Sequence, residues 1–167
     1  EKMLRDALSW RDIGVMPQFP KIDVSEPEIS TIDLDIQDQV INAIPDPMDR
    51  AFILFTAREM VRPSETRALQ WQDVDLKPDR VTLRRHFSLN KLLPATKAKQ
   101  NKYLPLDSMV GESLDALPRH LTSPFVFWKR NGRPFSGSWA RKSWKEIAES
   151  MGVHVSLYQG TRHSSAS

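Results

Sequence analysis

The spacing of apolar residues changes twice along this chain, and this restricts the folds that the chain can adopt. Before Trp71, apolar residues recur every three or four positions, as on one face of a helix. From Val81 they alternate with polar residues, which is the spacing of a half-buried strand. Helical spacing returns beyond Ser108. The pattern predicts helices on either side of a short strand-forming segment.

Prolines and capping residues indicate where these elements begin and end. Residues 1–13 have helical spacing, whereas residues 14–28 contain three prolines and predict an extended linker. Further helices are predicted behind Asp35 and Asp38, from Asp46-Pro47, from Pro63, over 108–121, over 138–151 and from Gly160. The apolar stripe of the first of them is Ile36, Val40, Ile41 and Ile44.

The strand-forming segment contains a lysine-rich turn at 96–102. Leucines lie on one side of this turn and Tyr103-Leu104 on the other, so the pattern predicts a hairpin that pairs 89–93 with 103–104. We expect the ring of Tyr103 to pack against the sheet. A further short strand is predicted at 125–128. Four tryptophans are interpreted as core residues: Trp71, Trp128, Trp139 and Trp144.

The composition excludes several classes of protein. The sequence has no Cys, which excludes disulfides, thiolate metal sites and a Cys nucleophile. Its four histidines lack metal-ligand spacing, and it has neither a P-loop nor a dinucleotide motif. No apolar run approaches the roughly 18 residues of a membrane span, and no segment resembles a signal peptide. We expect an intracellular protein without metal, cofactor or membrane contact, trimmed at both ends because it starts without Met and stops within Ser-Ser-Ala-Ser.

Charge is divided unevenly between the two halves of the sequence. Residues 1–76 carry 8 Lys/Arg against 15 Asp/Glu, a net charge of −7, and residues 77–167 carry 16 against 6, a net of +10. The most basic stretch is 77–102, where eight basic residues accompany the single acid Asp79. Segregated positive charge suits a surface that binds a polyanion, nucleic acid first. A solvated face of a small sheet is the alternative explanation.

Three motifs could bind or transform a phosphate. In Arg62-Pro63-Ser64-Glu65 an arginine lies at the start of a helix, where an anion can bind, with Glu65 close enough to orient it. From the turn at 96–99, a lysine can reach a phosphate or protonate a leaving oxygen. Residues 158–164, Tyr-Gln-Gly-Thr-Arg-His-Ser, provide a second arginine at a helix start. Taken alone, these motifs also have structural explanations. Arg62 and Glu65 could simply form an ion pair at the start of a helix, and the lysines of the turn could simply be solvated.

In this order, the motifs resemble the tyrosine recombinases of the phage integrase family. Residues 62–75 resemble the first conserved box, Thr96-Lys97 with Leu104-Pro105-Leu106 resembles the catalytic-lysine hairpin, and 161–167 resemble the start of the second box. The resemblance assigns 25–167 to a partial catalytic domain that lacks the C-terminal nucleophile segment. It assigns 1–24 to the end of a preceding core-binding domain and its linker.

The resemblance implies a fold, an activity and a set of site residues. The fold would be mostly α with a small antiparallel β-sheet, an α+β domain. The activity would be site-specific DNA recombination or integration, by metal-free strand cleavage and rejoining through a phosphotyrosine. The implied catalytic residues are Arg62, Lys97 and Arg162, with Glu65, Gln159 and His163 in support. The implied DNA-binding residues are Arg84, Arg85, Lys99 and Lys102. The partner would be double-stranded DNA, bound by a tetramer on synapsed sites in the full-length protein, in the cytoplasm and nucleoid of a bacterium or from a phage.

The sequence departs from the family pattern in three ways. Met60 stands where the family usually has Gly, and Gln159 stands where it usually has His. The nucleophilic tyrosine is expected beyond Ser167, because neither Tyr103 nor Tyr158 has its context, so the fragment alone should not cleave DNA. Three alternatives stay open: a catalytically inactive DNA-binding module of the same fold, a type IB topoisomerase-like enzyme, and a protein unrelated to DNA.

Overall fold

The computed structural model describes residues 31–77, 79–94 and 100–163, together with Asp6, Ser9, Trp10 and Val15. The helices are α1 (Leu34–Asn42), α2 (Pro47–Arg58), α3 (Pro63–Thr66), α4 (Ser108–Asp115) and α5 (Trp139–Ser150), followed by a π-helical turn (Gln159–His163). The strands are β1 (Val74–Asp75), β2 (Arg80–Leu83), β3 (Arg85–Ser88), β4 (Lys91–Pro94) and β5 (Lys102–Pro105). Apart from those four positions, the predicted helix at 1–13, the linker at 14–28 and the domain boundary at 24 lie outside the described residues.

Helix α2 is the centre of the core. Asp46 caps its start by accepting hydrogen bonds from the backbone N–H groups of Met48 and Asp49, and Pro47 occupies its first turn as predicted. Every residue from Ala51 to Ala57 is buried. Helices α1, α3, α4, α5 and the π-helical turn all contact α2. A helix that is buried on all sides fixes the positions of the elements around it, which include both arginine motifs.

Helix α1 buries three of the four residues predicted for its apolar stripe, Val40, Ile41 and Ile44, but not Ile36. Its buried residues include Gln37, which is fully buried, whereas the predicted Ile36 is 36% exposed. Positions 37, 40, 41 and 44 follow the i, i+3, i+4, i+7 spacing of one helix face, and position 36 does not. The helix also begins behind Asp33 and not behind the Asp35-Asp38 pair. The prediction was wrong at Ile36 because it followed apolar character and not the helical period.

The strands form two sheets, and the predicted hairpin pairing is wrong. Strand β2 lies between β1 and β5 in an antiparallel sheet, and β3 pairs with β4 in a separate one. Strand β5 therefore pairs with β2, with Leu104 opposite Val81, and the lysine-rich segment connects two different sheets. Tyr103 lies opposite Thr82 and is 69% exposed, so its ring does not pack against the sheet as expected. Alternation along β5 instead places Leu104 against the core.

Several other boundaries differ from the predictions, although the predicted helix at 138–151 is confirmed as α5. Helix α4 ends at Asp115 and not at 121, since Pro118 cannot donate to a helical hydrogen bond. Residues 125–128 form isolated bridges, Phe125 with Gln70 and Trp128 with Pro134, and no strand. Of the four tryptophans, only Trp144 is fully buried, and Trp139 is 41% exposed. Within the described residues, no helix has the length and apolar character that crossing a bilayer requires.

Candidate functional site

Arg62 lies at the start of helix α3, and Glu65 fixes it there. The backbone N–H of Arg62 donates to Oε2 of Glu65 at 3.3 Å, and Nη1 of Arg62 lies 3.7 Å from Oε1 of the same carboxylate. Glu65 is 1% exposed, whereas 38% of the Arg62 side chain is exposed. The carboxylate thus holds the arginine from the protein side. The guanidinium keeps donors that can bind an anion from solution.

The turn that precedes Arg62 needs an unusual backbone conformation at Met60. Met60 has φ of +48°, in the left-handed region that favours glycine. This is the position at which the family usually has Gly, which adopts a positive φ more readily than methionine does. Met60 adopts that geometry at a cost of roughly 1–2 kcal/mol. Thr66 then ties α3 to the central helix, because its hydroxyl lies 3.2 Å from that of the buried Thr56.

Lys102 lies beside the same buried carboxylate. Its Nζ is 3.9 Å from Oε1 of Glu65, an oxygen with no hydrogen-bond partner among the described residues. Glu65 therefore faces two cations, one from α3 and one from β5. Lys102 was predicted as a DNA contact. The geometry gives it a second role, that of a counter-charge inside the site.

Arg84 and Arg85, also predicted as DNA contacts, both meet the buried Asp73. Nε of Arg84 lies 3.1 Å from Oδ1 of Asp73, and Nη1 of Arg85 donates to Oδ2 at 2.5 Å. Asp73 lies in the segment 62–75 that resembles the first conserved box, and it joins the 3₁₀ turn before β1 to the β2–β3 segment. The side chain of Arg84 is 45% exposed and that of Arg85 only 20%. Arg84 can therefore contact a ligand from solution, whereas Arg85 is mostly buried in its contact with Asp73.

The π-helical turn that carries Arg162 is held by buried contacts on the protein side. Gln37 donates from Nε2 to the carbonyl of Gly160 at 2.6 Å. A Cβ atom at Gly160 would lie 2.3 Å from Cζ2 of Trp144, so this position requires glycine. Thr161 is fully buried and donates from its hydroxyl to the carbonyl of Leu157 at 2.7 Å. The backbone at Arg162 is thereby fixed against helix α2.

Gln159, which replaces the usual histidine, bonds to its own turn. Its Oε1 accepts hydrogen bonds from the backbone N–H of Ser156 at 3.1 Å and from the hydroxyl of Ser156 at 2.7 Å. An amide side chain with this oxygen engaged caps the start of the segment. A glutamine cannot act as a general base.

The structure brings together Arg62, Glu65 and Lys102, and it fixes the backbone at Gln159 and Arg162 on the same central helix. Lys97 and Lys99 lie outside the described residues, as do the side chains of Arg162 and His163. Their roles, and the convergence of Arg62, Lys97 and Arg162, stay predictions. Within the described residues, no three His, Asp or Glu side chains form a group that could hold a metal ion.

The family comparison matches most of the sequence. Residues 33–167 match the phage integrase family. The chain belongs to the phage integrase family. A comparison with curated proteins found no match.

Solved structures of integrases have the same fold as this integrase domain. The Tn1549 transposon integrase (residues 82–397, R225K), in complex with a circular intermediate DNA, aligns with a TM-score of 0.78 at 14% identity, over 96% of this chain and 60% of that one. A lambda integrase dimer (residues 75–356) bound to a COC′ core site gives a TM-score of 0.72 at 14% identity, over 99% and 61%. XerA recombinase gives a TM-score of 0.67 at 17% identity, over 95% and 55%. This chain thus spans about three fifths or less of each of these structures.

Sequence reasoning missed three features of this integrase domain. The burial of Gln37 could have been recognised from its spacing with Val40, Ile41 and Ile44 on one helix face. The requirement for Gly160 and the contact between Lys102 and Glu65 had no local signal. They depend on residues far apart in sequence, such as Trp144 in helix α5.

Proposed function

We propose that this chain is the catalytic domain, without its nucleophile segment, of a site-specific DNA recombinase that cuts and rejoins strands through a phosphotyrosine. Membership of the phage integrase family supports the general class. The observation that carries the chemistry is the buried Glu65 carboxylate holding a half-exposed Arg62. A guanidinium oriented in this way suits a phosphodiester, whose non-bridging oxygens accept paired N–H donors.

In the proposed reaction, the hydroxyl oxygen of a tyrosine beyond Ser167 attacks the scissile phosphorus. The bond from phosphorus to the 5′ oxygen breaks, which leaves a 3′-phosphotyrosine and a free 5′ hydroxyl. Rejoining reverses the step when a 5′ hydroxyl of the partner strand attacks the phosphotyrosine and releases the tyrosine. Bond energy is conserved, so the exchange needs no nucleotide cofactor.

Each proposed residue has a task that suits its chemistry. Arg62 and Arg162 would bind the non-bridging oxygens as negative charge grows on them in the transition state. Lys97 would protonate the departing 5′ oxygen, a task that suits an amine better than a permanently charged guanidinium. His163 would support the segment that presents Arg162.

Duplex DNA would bind mainly through its backbone phosphates. Arg84 and Lys99 are the proposed contacts outside the active site. Arg84 keeps 45% of its side chain exposed although it pairs with Asp73, whereas Arg85 is only 20% exposed and Lys102 lies beside Glu65 inside the site. Such contacts fix the register of the protein on DNA but carry little sequence information. Binding should therefore be weak, tolerant of sequence and steeply dependent on salt.

The decisive test is a nicked suicide duplex incubated with a longer protein that continues past Ser167, with the covalent adduct measured on a denaturing gel. We expect an adduct that is lost when the downstream tyrosine is changed to Phe, and reduced about 100-fold or more by Arg62→Ala or Arg162→Ala. Arg80→Ala, which removes an exposed arginine paired with Asp75, is the matched control. The 167-residue chain should give no adduct. An adduct formed by this chain through Tyr158 would refute the assignment of the nucleophile.

A catalytically inactive DNA-binding module is the second candidate, and Gln159 favours it. A glutamine bonded to Ser156 cannot replace a histidine base. In the active enzyme, Gln159→His should keep or raise the rate of adduct formation. A longer protein that binds DNA but forms no adduct, with or without this change, would be the inactive module.

A further inference from the structure

Arg67 is a buried cation that has no acidic partner among the described residues. It is 7% exposed, and no Asp or Glu forms a salt bridge with it in the part of the chain that the structure describes. Its Nε donates to the carbonyl of Phe135, and its guanidinium carbon lies 4.7 Å from the centre of the Phe87 ring. These neutral partners orient the guanidinium but do not cancel its charge. Burying a charge without a counter-charge is costly, so the site favours an anion.

Arg67 lines a cavity of about 490 Å³ between α3, β3 and the loop before α5. The other charged residues in its lining are Lys129 and Arg133, both basic. Asn90, Asn131 and Ser136 add amide and hydroxyl groups. The described lining thus combines three cations with neutral hydrogen-bonding groups and contains no acid, which matches the chemistry of an oxyanion such as phosphate.

The backbone of the 129–133 turn brings the two outer basic residues next to each other. The N–H of Lys129 donates to the carbonyl of Arg133 at 2.8 Å, and Gly132, with φ of +74°, donates back to the carbonyl of Lys129 at 2.7 Å. The Nζ of Lys129 also lies 4.9 Å from the centre of the Trp139 ring. The two basic residues are therefore neighbours across a tight turn whose backbone hydrogen bonds do not depend on a ligand.

Two more observations agree with an unmet positive charge at Arg67. Burial, and then the positive charge of Arg141, lower the pKa of Arg67 from its usual value. A Cβ atom at Gly137 would lie 3.2 Å from Nη1 of Arg67, so this glycine gives the guanidinium its room. A bound anion would offset both the burial and the repulsion from Arg141.

We propose that Arg67, Lys129 and Arg133 form an oxyanion site, distinct from the Arg62–Glu65–Lys102 cluster, that binds a phosphate group. Its source is either a backbone phosphate of duplex DNA other than the scissile one, which rests on the proposed function, or free inorganic phosphate, which does not. None of the three residues contacts Glu65 through a salt bridge among the described residues. The site can therefore be tested without any cleavage assay.

The first arm of the test is a titration of the 167-residue chain with inorganic phosphate at constant ionic strength, followed by backbone amide NMR shifts. We expect saturable shifts in residues 129–137, and about tenfold weaker binding in the double variant Lys129→Gln/Arg133→Gln, whose side chains lie on the outer wall. Arg130→Gln, in the same turn but outside this cavity, is the control and should bind as the parent does. Equal phosphate affinity in the double variant and the parent would overturn the proposal.

The second arm identifies the source of the phosphate by duplex binding at several salt concentrations. If a DNA phosphate occupies the site, the double variant should lower the salt slope by about two units, one for each lost cation. If the slope is unchanged although phosphate binding is weakened, the ligand is free phosphate. Failure of the proposed recombinase function would appear separately, as absence of the Arg62-dependent adduct while the phosphate titration persists.

Discussion

Gln37 and Gly160 are 123 residues apart, and Nε2 of Gln37 donates a 2.6 Å hydrogen bond to the carbonyl oxygen of Gly160. The bond joins helix α1 to the π-helical turn that carries the second arginine motif. Gln37 is fully buried, and this polar contact is its link across the core. The family match begins at residue 33, and the helix that starts there thus helps to fix the turn at Gln159–His163.

Gln37→Leu should loosen the turn that presents Arg162. The substitution leaves a buried carbonyl at Gly160 without its donor, which costs about 1–3 kcal/mol in the free energy of unfolding. Amide hydrogen exchange at Gly160 and Thr161 should quicken, and urea unfolding should give the loss of stability. Gln39→Leu, exposed on the same helix, should change neither measurement. Equal exchange rates in both variants would mean that Gln37 does not hold the turn.

Gly160→Ala should be strongly destabilising, because its Cβ would lie 2.3 Å from the buried ring of Trp144. Overpacking of this kind costs about 1–3 kcal/mol or more. Gly152→Ala is a useful comparison, since Gly152 has φ of +74° and open space around it. Its cost should be only that of the strained backbone, roughly 1–2 kcal/mol. A Gly160→Ala protein with the parent's urea midpoint would show that Trp144 can move aside.

Met60→Gly should stabilise the turn before Arg62. Relief of the left-handed strain is worth about 1–2 kcal/mol and is offset by about 0.5–1 kcal/mol from the greater freedom of glycine in the unfolded chain. The expected result is a gain of a few tenths to about 1 kcal/mol, measured by urea unfolding at unchanged m-value. Met60→Ala removes the same side chain but keeps the strained Cβ, so it should show no such gain.

Lys102→Gln should destabilise the protein by leaving the buried Glu65 with Arg62 as its only described cation. The second substitution, Glu65→Gln, removes the charge that needs compensation. A double-mutant cycle should therefore give a coupling energy of about 0.5–3 kcal/mol between the two positions. A coupling energy near zero would contradict the pairing and would leave Lys102 as a DNA contact. In that case Lys102→Gln would lower the salt slope of DNA binding by about one unit.

Glu59 should make stability fall as pH rises above 4.5. Burial raises its pKa from the usual 4.5, and the nearby Asp107 carboxylate adds to the rise, although the backbone N–H of Asp107 donates to Oε1 of Glu59 at 2.9 Å and opposes it. A carboxyl with a raised pKa in the folded state binds its proton more tightly when folded. The contribution of the protonated Glu59 carboxyl to the free energy of unfolding is complete below pH 4.5, and it is lost as pH rises through the pKa of the folded state.

The variant Glu59→Gln isolates this effect from all other titrating groups. The amide cannot ionise, and its oxygen can still accept from Asp107. The stability of Glu59→Gln relative to the parent should therefore increase between pH 4.5 and pH 7, as measured by urea unfolding at both values. A constant difference across that range would contradict a raised pKa at Glu59.

Features that depend on near neighbours could be predicted from the sequence. Asp46 and Pro47 start α2 because capping needs only the next three residues, and Arg62 meets Glu65 because they are one helical turn apart. Alternation identified the strand at Val81–Leu83, and the order of the motifs identified the family. These signals are local, so they do not depend on the path of the chain between them.

Contacts between distant residues could not be predicted, because they depend on how the whole chain packs. The alternation of apolar and polar residues along β5 is compatible with pairing to either β4 or β2. In the structure β5 pairs with β2, because this pairing places Leu104 opposite Val81 in the core. The same arrangement exposed Tyr103 and brought Lys102 to Glu65, while the approach of α5 made glycine necessary at position 160. Strand partners and buried charge pairs depend on how the whole chain closes around α2, because burial is a property of the assembled core and not of any short segment.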